Sequence, residues 1–382
     1  MLSQMTEDPF QDLPESLVEE MLSECEELSN NLFESFKKLN DNKNIIRNIL
    51  IDNKILKNYS EIFSSFLYPT TCGVDGSYAI EKLISTDIAA CAAVAVEGLT
   101  PPKEKRYWEK PYHYSIVKSI RHSNSTNVVI RAIMICMELE LAVKAPHDVI
   151  FLDGSLTTPF IYLNQAFNKK TEVPEVLSKL LDEWAYKGIN AYNNILNSTR
   201  TDKIFVGVPK YTTKREISEI ISGNKNLNNI NCEDRGLLSF ILNPGEFIGP
   251  LDIQKPGDIW HFDKPQENLE KIINDIKVGL NNLNIVYYRP FDFIPAIRME
   301  ISPSVASNKQ RLAMLIESIN IQCGVPGIME PYPLYLADRM VKHLGTALPA
   351  IRKTTTQEMA FKWEDNLGNI YFAMHGYRTE QG

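Results

Sequence analysis

The chain has 382 residues, 44% of them apolar and 23% charged, the make-up of a soluble globular protein with one large domain or two to three ordinary ones. A net charge of −8 argues against a protein that grips nucleic acid unaided, because phosphate neutralisation by basic groups carries such affinity. No run of about 18 apolar residues occurs, and the acidic start MLSQMTEDPFQDLPES lacks the regions of a signal peptide, so neither a membrane span nor secretion is expected.

In chain order, residues 12–66 predict helix, with Leu28, Leu32, Phe36 and Leu39 recurring at helical spacing. From Pro69 the pattern changes. CGVDGSYA predicts a strand ending in Asp-Gly-Ser, and IAACAAVAVEGL a second strand beside it. Residues 101–125 mix Lys103, Lys105, Arg106, Lys110, Lys118 and Arg121 with Tyr107, Trp108, Tyr112 and Tyr114, a basic aromatic stretch expected to be exposed in part. NVVIRAIMICMELELAV predicts a helix of about 18 residues, and VIFLDGSL after it reads as a buried strand, again ending in Asp-Gly-Ser. Further on come helices over 159–200, the strand KIFVGVPK, a helix in KREISEII, an Asn-rich loop, and paired strands in NIVYYRPFDFIPAIRMEIS. A helix in PYPLYLADRMVKHLG and a terminal strand pair, EMAFKWEDNLGNIYFAMHGY, with its turn at Asn366–Gly368, close the chain. Alternating strands and helices predict an α/β fold. The expected regions are a helical part over 1–66, a central domain over 67–350 and the strand pair over 351–382.

An aspartate at the end of a central strand lies where α/β sheets place ligands. Two such carboxylates, Asp75 and Asp153, repel each other unless a cation sits between them. Mg²⁺ or Mn²⁺ suits their hard oxygens and phosphate chemistry. The plainer alternative makes each Asp-Gly-Ser an Asx turn with a helix cap. On a helix, Glu138 and Glu140 point about 200° apart. Glu138 lies among Met134, Ile135, Leu141 and Ala142 and so faces inward, whereas Glu140 has Lys144 at i+4. Glu138 is therefore the third candidate, although MELEL also alternates like a strand. Asp338 is either a fourth ligand or the i+4 partner of Lys342. Lys210 ends the KIFVGVPK stretch and by itself reads as an ordinary solvated lysine. The six cysteines form no CxxC pair and the histidines no ligand spacing, which argues against zinc and for reduced thiols in a cytoplasmic protein.

GVDGS, a Glu-bearing segment, FLDGSL, a strand ending Val-Pro-Lys, YYRPFDFIPAIRMEI and PYPLYLADRM, in this order over residues 65–350, resemble the NurA nucleases. The resemblance implies an RNase H-like core with a mixed sheet, a helical N-terminal extension and helical insertions. It also implies Mn²⁺- or Mg²⁺-dependent DNA cleavage, as 5′-to-3′ exonuclease and single-strand endonuclease. The expected partners are DNA, a second copy of the chain and a HerA-type hexameric translocase, in end resection and repair or in antiviral defence. Asp75, Glu138, Asp153 and Asp338 would hold the metal, with Lys210 and Arg298 contacting the phosphate. One departure is clear: the family's late helix usually carries a histidine after Pro-Leu-x-x-Ala, and here that residue is Asp338. An aspartate binds metal but does not move protons at neutral pH as histidine does. An adaptor that docks on the translocase without cutting is the alternative. An actin-like phosphotransferase is a remoter one, since no glycine-rich adenosine motif accompanies the two strand ends.

Overall fold

The computed structural model describes residues 10, 13–63, 68–101, 104, 106–222, 232–253, 260–263, 265, 267–362 and 367–375. One mixed sheet of nine strands runs through them. The strands are β1 (Leu56–Asn58), β2 (Thr71–Lys82), β3 (Asp87–Glu97), β4 (Tyr112–Ile120), β5 (Val149–Asp153), β6 (Ile204–Val208), β7 (Glu246–Asp252), β8 (Asn284–Arg289) and β9 (Ile297–Ile301). Their order is β1-β7-β8-β9-β6-β5-β2-β3-β4. β2, β5 and β6 are parallel, and every other neighbouring pair is antiparallel. The meander β4-β3-β2 joined to parallel β5 and β6 is the RNase H-like core.

The helices are α1 (Glu15–Ser23), α2 (Cys25–Asp52), α3 (Thr126–Lys144), α4 (Thr158–Lys169), α5 (Glu175–Leu196), α6 (Glu216–Ser222), α7 (Asp234–Ile241), α8 (Glu270–Asn281), α9 (Pro303–Ala306), α10 (Lys309–Gln322), α11 (Tyr332–Lys362) and α12 (Leu367–Ala373). None of the described helices is long and apolar enough to cross a membrane.

The apolar strands are buried on both faces, which is why they read as continuous runs rather than alternating ones. In β5, Ile150 and Leu152 join the core under α3 and α5, while Val149 and Phe151 join the core under α10. Each such side chain contributes about 1.5–3 kcal/mol by leaving water. β3 is built of small residues for the same reason. Ala89, Cys91, Ala93 and Ala95 face the α3 side and Ala90 faces α11 and α12, so helices approach closely on both faces. α3 stops at Ala145, held extended ahead of Pro146.

Three expectations change. β2 does not end at Asp75: it continues to Lys82, paired with β3 throughout. The N-terminal region is helical through α1 and α2, but β1 then joins the sheet edge beside β7, and Arg47 locks α2 to that edge through two 2.7 Å hydrogen bonds to Glu246. The expected terminal strand pair is helix. Met359 lies within α11, and Ile370, in α12, and Met374, just after it, pack with Leu348 of α11 against Leu83 and Ile88. Asn366, part of the expected turn, and residues 223–231 of the Asn-rich loop expected over 223–236 lie outside the described residues, and the last residues of that loop, 234–236, open α7 instead.

Candidate functional site

The parallel pairing of β2 with β5 ends at Val74 and Leu152. The next residues are Asp75 and Asp153, which therefore stand side by side about one strand spacing apart. Gly73 and Asp75 share a face with α11. A Cβ at Gly73 would lie 2.5 Å from the backbone nitrogen of Leu334, so only glycine lets the start of α11 press onto β2. That approach delivers Asp338, nearly two turns into the helix. Asp75, Asp153 and Asp338 each offer one oxygen, and these lie within 4.8 Å of one another.

Lys210, two residues beyond β6, puts its ammonium among them: 3.4 Å from Asp153, 3.7 Å from Asp338 and 3.0 Å from Glu330. It is thus an ion-paired lysine rather than a freely solvated one. Burial favours its neutral form, but the carboxylates of Asp153, Glu330 and Asp338 outweigh that and keep it charged. The i+4 pairing of Asp338 is present, its Oδ2 accepting from Lys342 at 2.6 Å, while its Oδ1 lies 3.7 Å from the Lys210 ammonium.

Glu138 comes from the opposite face of the sheet. Asp75 points toward α11, whereas Gly76 points toward α3, and a Cβ there would collide with Glu138 Oε1 and lie 2.8 Å from Met134 Cγ. The missing side chain leaves room for the Glu138 carboxylate, near enough for the charges of Asp75 and Asp153 to act on it, although it is not one of the three carboxylates whose oxygens converge. Glu140 instead pairs with Lys144 at 3.0 Å, as an exposed i,i+4 pair should. An Ala at Gly76 would normally gain strand stability. Here we expect Gly76→Ala to cost about 1–3 kcal/mol in denaturant unfolding, because Glu138 must move.

Crowded carboxylates resist ionisation. Burial, then the charge of Asp153, pushes Asp75 up to about 7. Burial also raises Asp153, against the pull of Lys210, and raises Glu138 well above the carboxylate range, with Asp75 and Asp153 adding to it. A carboxyl raised on folding stabilises the protein below its unfolded pKa, and that contribution is lost as pH rises through the folded value. Metal-free protein should therefore lose stability, on the order of a few kcal/mol, between about pH 4 and 7 through Asp75. Urea unfolding in EDTA across that range checks the sign.

The donor chemistry fits a hard divalent cation. Apart from the Lys210 ammonium beside them, the converging atoms are carboxylate oxygens, and Asp153 Oδ1 is buried without a hydrogen-bond partner among the described residues. A buried acceptor left unpaired costs free energy that a cation would recover.

The loop after β5 is held by a second network. Glu300 of β9, 1% exposed, accepts from Ser155 Oγ and from the Leu156 amide, both at 2.8 Å. Its other oxygen accepts from Arg298 at 3.2 Å, and Arg298 also donates to both oxygens of Glu216, at 2.8 and 3.0 Å. Tyr192 donates to the Leu156 carbonyl. Ser155 is thus fixed by Glu300, and Gly154, at φ +83°, makes the turn. Arg298 is 0% exposed, so the expected phosphate contact is corrected: it is an internal counterion. Glu330 goes unmarked in the sequence. It sits just before α11, and nothing local marks it, since its partner Lys210 is distant in the chain. Of the basic aromatic stretch, Tyr107 and Trp108 pack edge-on against buried His147, and Glu97 accepts from both their amides and from His147. Lys103 and Lys105 lie outside the described residues.

With this geometry in hand, the comparisons are direct. The model of the NurA domain matches residues 69–342, well over half the chain. The chain belongs to the NurA family of nucleases. Its fold is similar to the crystal structure of the NurA nuclease from Sulfolobus solfataricus, with TM-score 0.59 and 14% identity over 92% of this chain and 99% of that one. A crystal structure of NurA matches at TM-score 0.54 and 13% identity, covering 91% of this chain and 99% of the other. A crystal structure of NurA with manganese matches at TM-score 0.51 and 14% identity, covering 87% and 97%. The comparison with curated proteins gave no match.

Proposed function

We propose that this NurA chain is a Mn²⁺- or Mg²⁺-dependent deoxyribonuclease. Asp75, Asp153 and Asp338 would hold the metal, with Glu138 completing the set from the other face. The observation that carries the reading is the convergence of three carboxylate oxygens within 4.8 Å, beside an unpaired buried oxygen of Asp153. A divalent cation bound there would acidify water and neutralise charge on the phosphate under attack. The chain's own part is positioning. β2 and β5 fix two carboxylates in register, Glu300 holds the loop behind one of them, and Lys210 offers a cation at the phosphate's side. The manganese-bound relative supports the choice of ion.

Single-strand endonuclease and 5′-to-3′ exonuclease activity, a homodimer, and work beside a HerA-type translocase in end resection or antiviral defence belong to the same reading. They are supported by family membership and by the acidic net charge, which suits a nuclease fed by a DNA-pumping partner. The test is cleavage of labelled single- and double-stranded DNA in Mn²⁺, Mg²⁺ or EDTA, with and without such a translocase. Cleavage with metal and none with EDTA is expected. Folded protein that binds the translocase but never cuts would instead make the chain an adaptor.

A further inference from the structure

The outward face of α11 leads away from the carboxylate cluster, and its charge is opposite to that of the chain. From Arg339 to Gln357 it carries Arg339, Lys342, His343, Arg352 and Lys353 and not one acidic residue, within a protein of net charge −8. Leu344, Leu348 and Ile351 pack inward on β2 and β3. At 100° per residue, Lys342, Thr346 and Lys353 then lie along the opposite side, and all three are exposed. The line begins one turn from Asp338, at Lys342. It ends at a cavity of about 730 Å³ between α11 and α12, bounded by Pro349, Lys353 and Thr356 on one side and Tyr371 and His375 on the other.

We propose that this face of α11, with the α11–α12 cavity at its far end, is a track for one DNA strand whose scissile phosphate lies at the carboxylate cluster. The proposal rests on the nuclease reading above. Lys342 to Lys353 spans roughly 16 Å of helix, a few nucleotides of extended strand. Not every cation on the helix is free for phosphate: Arg352 is bound to Glu81 at 2.8 Å and Lys342 to Asp338 at 2.6 Å. Lys353 makes no ion pair among the described residues, so it is the principal phosphate contact. Among the described residues, Glu81, paired with Arg352, and Glu358 are the acidic groups at the far end, and at 100° per residue Glu358 falls off the line. Tyr371, 69% exposed at the cavity wall, offers a face on which a base can stack, which suits a single strand rather than a duplex.

The test is anisotropy of a labelled oligo-dT of about 20 nucleotides, titrated with salt in Ca²⁺ in place of Mn²⁺, for wild type, Lys353→Glu and Thr346→Glu. Both variants should bind about 10-fold more weakly, and Lys353→Glu should flatten the log–log salt slope by roughly 0.7–1. Hydrolysis of bis-p-nitrophenyl phosphate, which is too small to reach the track, and the Mn²⁺-induced rise in melting temperature should stay as in wild type. Variants that bind the oligonucleotide as wild type does, while the small ester is still cut, overturn the track and leave the nuclease reading standing. Wild type that neither cuts the ester nor binds the strand overturns both.

Discussion

Asp153→Asn should abolish metal-dependent cleavage, by roughly 10³-fold or more, the scale of about 4 kcal/mol in the barrier. The substitution keeps the shape of the side chain and removes the charge that attracts a cation. It should not unfold the protein. Burial already opposes ionisation of Asp153, so in EDTA the neutral amide should melt no lower than wild type, although Lys210 loses one of its carboxylate neighbours. The two proteins should part on adding metal. At about 100 times its dissociation constant, Mn²⁺ should stabilise wild type by about 2.7 kcal/mol, and the variant by much less. Melting with and without Mn²⁺, beside a cleavage assay, gives both readings. Full activity in Asp153→Asn would return VIFLDGSL to the status of a structural turn.

The second large effect lies behind the site. Arg298→Ala should cost about 3–5 kcal/mol, because it leaves Glu216 and Glu300 as buried carboxylates without their counterion. Activity should fall with it, since Glu300 holds Ser155 and Leu156 and so the loop that follows Asp153. A phosphate contact at Arg298 would behave otherwise: DNA affinity and its salt dependence would drop while stability stayed put. Denaturant unfolding of the metal-free variant separates the two.

Much of the site is legible in the sequence because its chemistry is local. VDGS and LDGS mark the two aspartates, and the apolar neighbours of Glu138 at three and four residues turn it inward. VDGS marks Asp75 for an incomplete reason. Its glycine is no turn residue, since β2 runs on, and Gly76 exists to let Glu138 through, a contact between elements that no single-segment pattern contains. Arg298 looks like a phosphate contact for the same reason. IRMEI puts Arg298 and Glu300 on one face two residues apart, but only the fold reveals Glu216 opposite them and water excluded. Glu330 is silent because charge partners far apart in sequence leave no periodicity. The end of the chain reads as a hairpin because EMAFKW and NIYFAM alternate. The helix prevails because α11 and α12 bury Leu348, Ile370 and Met374 against β2, β3 and the turn between them, a tertiary preference that overrides a local one.

The two central aspartates hang from unequal supports. Asp75 sits inside a continuous ladder, with Val94 opposite it on β3 and the β2–β5 pairing ending just before it, so its backbone cannot shift without breaking strand hydrogen bonds. Asp153 is the last residue of its strand, and beyond it the chain depends on side chains: Glu300 below, Tyr192 above and a glycine with free rotation between. The site is therefore a vice with one fixed jaw and one adjustable jaw. A cation bound as proposed would meet one carboxylate anchored within a strand ladder and one anchored at a strand end by the side chains behind it.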